Sequence, residues 1–79
     1  GTDELIRQGN LLEKQMKEED AYLKFKEVVK LQPHHLFALT RCSELASRIG
    51  KRQQTKSKQM DYYEAAKIYA ERALKVNPN

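Results

Sequence analysis

The chain has no tryptophan, one cysteine, three glycines, two prolines and no long apolar run. Each scarcity excludes something. A lone thiol, Cys42, cannot close an internal disulfide, so no disulfide framework reinforces the core. No stretch approaches the roughly 18 apolar residues that a spanning helix needs. There is no glycine-rich phosphate loop, no G-x-S-x-G elbow and no H-E-x-x-H pair, and 79 residues cannot hold a two-domain enzyme. Neither an enzymatic activity nor a cofactor is expected.

What is present is helical. Between the punctuation at Gly1, Gly9, Gly50, Pro33 and Pro78 the commonest residues are strong helix formers. Leu5, Leu12 and Met16, with Ile6 and Leu11 beside them, recur at helical spacing over Asp3 to Met16, and Thr2 or Asp3 can cap the start. The acidic run Glu18, Glu19, Asp20 suits a second helix start. Ala21, Tyr22, Phe25, Val28 and Val29 follow, and Pro33 forces the end. Leu36, Leu39, Cys42, Leu45, Ala46 and Ile49 mark a third stripe, with Gly50 as a left-handed C-terminal cap. After the wholly polar "KRQQTKSKQ", the residues Met60, Tyr62, Tyr63, Ala66, Tyr69, Ala70, Ala73 and Leu74 form a fourth stripe. That helix can begin as early as Thr55 or Ser57.

The chain also matches itself. "AYLKFKEVVKLQP" (21–33) and "AKIYAERALKVNP" (66–78) share small, apolar and proline positions without a gap. Leu5, Gln8, Gly9, Leu12, Ala21, Phe25 and Pro33 stand at the spacings of the 34-residue helix-turn-helix repeat W-x2-L-G-x2-Y, A-x3-F, P. In this the chain resembles the tetratricopeptide repeat family. Leu39, Cys42, Ser43 and Ala46, then Ala66, Ala70, Ala73 and Pro78, fill a second copy. The two closing prolines lie 45 residues apart, so 11 extra residues fall between the third and fourth helices. The second copy, with its insertion, is also similar to repeats of the regulator of microtubule dynamics family.

The expected fold is therefore all-α, a right-handed stack of four helices: repeat one over 1–35, and repeat two over 36–79 with an expanded basic turn at about 50–60. Gly9, Ala21 and Ala66 would let paired helices approach closely, and Phe25 would fill the space between repeats. The first residue is Gly1, which suggests an excised or processed piece of a longer array, either cytoplasmic or exported. The outer face of the fourth helix, with Ala70, Ala73 and Leu74, should be left for a further repeat or for a second copy of the chain.

The tetratricopeptide resemblance implies a protein-interaction scaffold whose first helices line a groove for a peptide or partner protein. Carried over by position, that groove presents Arg7, Asn10 and Lys14, then Phe37, Arg41, Glu44 and Arg48, beside Asp3, Ile6, Glu13, Thr40 and Ser47. The family's carboxylate clamp for chaperone tails is not expected. Asn10 matches it, but Ile6 and Arg41 stand where a lysine and an asparagine belong, and a third repeat is absent.

The excess positive charge is local. Arg48, Lys51, Arg52, Lys56 and Lys58 come without an acid among them, and outside them ten basic residues face eleven acidic ones. The segment reads either as a solvated loop or as a site for an anionic ligand. It lacks the aromatic platform of a nucleic-acid site and has no apolar face for a membrane surface before Met60. His35 and Cys42, seven residues apart on one helix, are separated by roughly 10 Å of rise, too far to share a zinc ion. The histidines are read as starting the third helix and Cys42 as packing. Glu13 pairs by spacing with Lys17, and Tyr62, Tyr63 and Tyr69 are read as core aromatics.

Overall fold

Four helices account for nearly all of residues 1–78, the part of the chain that the computed structural model describes: α1 (Thr2–Lys14), α2 (Glu18–Leu31), α3 (Leu36–Lys51) and α4 (Lys56–Val76). No strand occurs among the described residues. α2 packs on α1 and α3, and α3 packs on α4. The shortest dimension, 19 Å, is about two helix diameters, so the helices lie in two layers.

The helix ends follow local chemistry. Thr2 and Asp3 do not cap α1: both are already helical, and Gly1 stands at the cap without a side-chain bond. The helix also stops short of Met16. That residue is 80% exposed, outside the expected core stripe, in a left-handed turn at φ 62°. There the Lys17 N–H reaches back to the Leu12 carbonyl at 2.9 Å, a bond that closes the helix end. In α2 the first turn is the acidic run, facing the partial positive charge of the helix start. His35 caps α3, its Nδ1 accepting the Ala38 N–H at 3.2 Å. Thr55 caps α4, its hydroxyl accepting the Lys58 N–H at 3.2 Å.

Gly50 is not a left-handed cap. It lies inside α3 without a positive φ, and its role is close approach: a Cβ there would sit 2.9 Å from Tyr63 Cε1 and 3.0 Å from Tyr62 Cβ. The expanded turn expected at about 50–60 is likewise mostly helix, since only residues 52–55 lie between α3 and α4. The extra length went into 16 and 21 helical residues, against 13 and 14 in the first pair. Lysine, arginine and glutamine extend helices readily, and after Gly50 no glycine or proline interrupts them before Pro78. Two glutamines close the short turn. Gln53 donates to the Ile49 carbonyl at 3.1 Å, and Gln59 donates to the Gln53 carbonyl at 2.9 Å.

The core is built from α2 and α3. Ala21, Tyr22, Phe25, Val28 and Val29 on one helix, and Ala38, Leu39, Cys42, Leu45, Ala46 and Ile49 on the other, are all buried. Gly9 lets α1 close on α2, because a Cβ there would lie 2.7 Å from Phe25 Cζ. No residue of α4 is fully buried. Tyr62, Ala65, Ala66, Tyr69 and Ala73 are half-buried against the core, and Ser43 ties the helix in by donating to the Ala66 carbonyl at 2.9 Å. Met60 and Tyr63, although part of the fourth stripe, are exposed. Of the residues expected on the uncovered outer face of α4, Ala70 and Leu74 are exposed, Leu74 at 59%, whereas Ala73 is half-buried against the core.

Candidate interaction surface

The groove residues expected on α3 fall at one helical face, and that face is occupied by ion pairs. Arg41 grips Glu13 of α1 in a two-point pair, Nε to Oε1 at 2.9 Å and Nη2 to Oε2 at 2.6 Å. Its Nη1 also reaches Glu44 Oε2 at 2.9 Å. Arg48 lies 3.8 Å from the same Glu44 oxygen and donates to Glu18 Oε2 of α2 at 3.1 Å. Arg52 completes the row on Glu18 Oε1 at 2.6 Å. Three arginines and three glutamates therefore alternate in one row, Arg41, Glu44 and Arg48 on α3 and Arg52 just past its end, held to the first helix pair at Glu13 and Glu18. The row is electrically neutral.

This arrangement redistributes the residues expected to bind a partner. Arg41, Glu44 and Arg48 join helices to each other. Glu13 is paired with Arg41 and not with Lys17, because Lys17 lies beyond the end of α1, where the spacing of four residues no longer brings side chains together. The basic segment is divided as well. Arg48 and Arg52 are neutralised by Glu18, whereas Lys51, Lys56 and Lys58 are exposed without a carboxylate partner among the described residues.

Glu18 sets a pH dependence. Burial pushes its carboxyl up, but the hydrogen bonds and charges of Arg52 and Arg48 outweigh that and hold it below the ordinary glutamate value of 4.5. A carboxyl lowered on folding stabilises the fold above its unfolded value, and the contribution is lost as pH falls from there through the lowered one. Glu18→Gln is therefore expected to cost about 1 kcal/mol at pH 7. The cost should fade as pH drops through the lowered Glu18 value, where both forms are uncharged at this site. Urea midpoints of the two proteins across pH check it. A gap that persists at low pH would show that the side chain acts by packing.

On α1, Arg7, Asn10, Leu11 and Lys14 line a shallow depression of about 240 Å³. Arg7 is held by Glu4 one turn earlier, an exposed pair that also lowers the Glu4 carboxyl, chiefly through the hydrogen bond. Leu11, which by spacing belongs beside the core stripe, is half-exposed in this depression between the polar groups. The stripe Leu5, Leu12 and Gly9 points to the other side of the helix, and a careful angular count around α1 would have found this. Phe37 on α3 is 44% exposed and stands edge-on to Phe25, with ring centroids 5.9 Å apart.

Cys42 lies in the core and carries no accessible chemistry. Burial pushes its thiol up to about 12, so almost no thiolate exists at neutral pH. Among the described residues no three histidine, cysteine, aspartate or glutamate side chains converge where a metal ion could be held. Among the described residues no helix is long and apolar enough to cross a membrane.

A second surface lies between α2 and α4. Tyr22 packs against Tyr62 and Tyr69 with ring centroids 6.2 and 6.4 Å apart, so two of the three expected core tyrosines do converge. Two adjoining depressions run along this seam and share Leu23 and Lys26.

The whole four-helix unit corresponds to a known family. The model of the family described as regulator of microtubule dynamics protein 1-3 matches residues 5–79. The chain belongs to this family. The match covers both helix pairs, including the segment by which the second exceeds the first. No curated protein and no solved structure matches the chain.

Proposed function

We propose that the chain is a helical-repeat scaffold of the tetratricopeptide type, two repeats in a right-handed stack, which binds a peptide or partner protein on the face carried by α1 and α3. The observation that carries this reading is the two-point Arg41–Glu13 pair, which ties α1 to α3 directly. The ion-paired row gives the face rigidity, and contact chemistry comes from what that row leaves over: Arg7, Asn10, Leu11 and Lys14 on α1, and Phe37 on α3. Exposed arginine and large apolar groups are the usual anchors of such faces. Ala70 and Leu74 keep the far side of α4 available to a further repeat or a second copy.

The test is affinity capture with the full chain, followed by the binding of whatever partner is identified. Leu11→Asp with Lys14→Glu is expected to weaken that partner about tenfold or more, with the far-ultraviolet circular dichroism melt unchanged. Undiminished binding by this folded variant would remove the α1/α3 face from consideration.

A further inference from the structure

The cations of this protein are not treated alike. Of its five arginines, Arg7, Arg41, Arg48 and Arg52 each meet a carboxylate. Arg72 on α4 meets none among the described residues. Its Nη2 donates to the Pro33 carbonyl at 3.2 Å, and its guanidinium centre stands 5.8 Å from the centroid of the Tyr69 ring. Across the seam, Lys26 on α2 holds its Nζ 5.1 Å from the Tyr22 ring centroid, again without an acidic partner among the described residues. Lys30, one turn further on, is also unpaired among them. These three cations line one depression of about 690 Å³.

Two of the three are already oriented. Ring faces and a backbone carbonyl restrict Arg72 and Lys26 before any ligand arrives, which lowers the ordering cost of binding an anion there. Leu23, a leucine 60% exposed one turn before Lys26, lines the same depression and belongs to both depressions of the seam. Cations beside an exposed aliphatic side chain call for a ligand that carries both an anionic and an apolar group.

The acids of the seam narrow the ligand class. Glu27 is the one carboxylate lining the cationic end, while the adjoining depression of about 610 Å³ carries Glu19 and Asp61 with Lys58. A phosphodiester chain or an acidic membrane, anionic along its whole length, would meet these carboxylates. A peptide can change its charge along the seam. We propose that the α2/α4 seam binds an acidic peptide segment of a partner protein, its carboxylates on Arg72, Lys26 and Lys30 and an apolar side chain on Leu23. This surface is separate from the α1/α3 face, so a single chain would hold two partners at once.

Fluorescence anisotropy on the full chain tests it. The probe is a labelled ten-residue peptide with two glutamates and a leucine in its first half and a lysine in its second, compared with its glutamine counterpart. Labelled oligothymidylate and phosphatidylserine vesicles are the other arms. The glutamate peptide is expected to bind about tenfold more tightly than the glutamine one and to lose about tenfold on Arg72→Glu. Its amide shift perturbations should centre on Leu23, Tyr69 and Arg72. Lys26→Glu with Lys30→Glu gives the same answer if Arg72→Glu fails to fold. Equal binding of the two peptides, indifference to the substitutions, or oligonucleotide or vesicle binding as tight as the peptide would overturn the proposal.

Discussion

Phe25→Ala is expected to bring the chain to the edge of unfolding at 25 °C. Truncating a fully buried phenylalanine costs about 3–5 kcal/mol, and a domain of 79 residues has only about 4–12 kcal/mol in all. The loss is high here because the ring is gripped from two sides. Its tip meets the backbone of α1 at Gly9, and its ring packs edge-to-face with Phe37 at 74° between planes.

The grip has a signature that simple truncation lacks. Gly9→Ala improves helix propensity by about 1 kcal/mol, but its methyl would press on Phe25 Cζ at 2.7 Å, an overpacking worth about 1–3 kcal/mol. It should therefore be neutral or destabilising in the natural chain. In the Phe25→Leu background, where the tip of the ring is gone, the same change should stabilise. Urea denaturation of the two single variants and the double one measures this as a change of sign. Additive effects would show that Gly9 and Phe25 are not in the contact described here.

The second large effect belongs to the Arg41–Glu13 pair. Both side chains are about four-fifths buried, at 18% and 20% exposure, and the guanidinium is raised above its ordinary value chiefly by its hydrogen bonds to Glu13. Removing either partner leaves the other poorly solvated. Arg41→Ala and Glu13→Gln are each expected to cost about 2 kcal/mol, with the double variant costing little more than one of them. Arg41→Lys should recover only part of the loss, because an ammonium cannot make the planar two-point contact. In 1 M salt most of this coupling should survive, whereas the exposed Arg7–Glu4 pair should contribute nothing measurable. A coupling near zero in the urea-denaturation cycle would show that the row of ion pairs decorates the surface and does not join the helices.

Much of the fold was legible in the residue order. Periodicity located all four helices, Pro33 and the acidic run bounded α2, and Thr55 was among the expected caps of α4. The buried apolar residues of α2 and α3 are those that the two stripes named, except that Ala38 is buried without having been named and Leu36, which was named, lies exposed at the rim. The errors share a cause. Gly50 and the polar segment were read by local propensity, where glycine ends helices and an apolar gap suggests a loop, yet the helix continues because Tyr62 and Tyr63 need a residue without a side chain beneath them. Met16 was read by spacing alone, and spacing cannot show that a chain has already turned.

The interaction surface was legible only in its membership. Arg7, Asn10, Lys14, Phe37, Arg41, Glu44 and Arg48 do lie on α1 and α3, but residue types and spacing could not say which charges were already taken. Ion pairs within one helix follow from a spacing of three or four. Glu13 with Arg41 and Glu18 with Arg48 and Arg52 join residues 28 to 34 positions apart, and only the packing of helix pairs brings them within reach.

The sequence by itself determined that the chain is four helices, because hydrophobic period and helix breakers act over a few residues. The tertiary structure alone decided where the charge is free. A cation's availability depends on which carboxylate stands opposite it, and here that leaves Arg72, Lys26 and Lys30 unpaired among the described residues along a seam where Arg72 meets Pro33, 39 positions away in the chain.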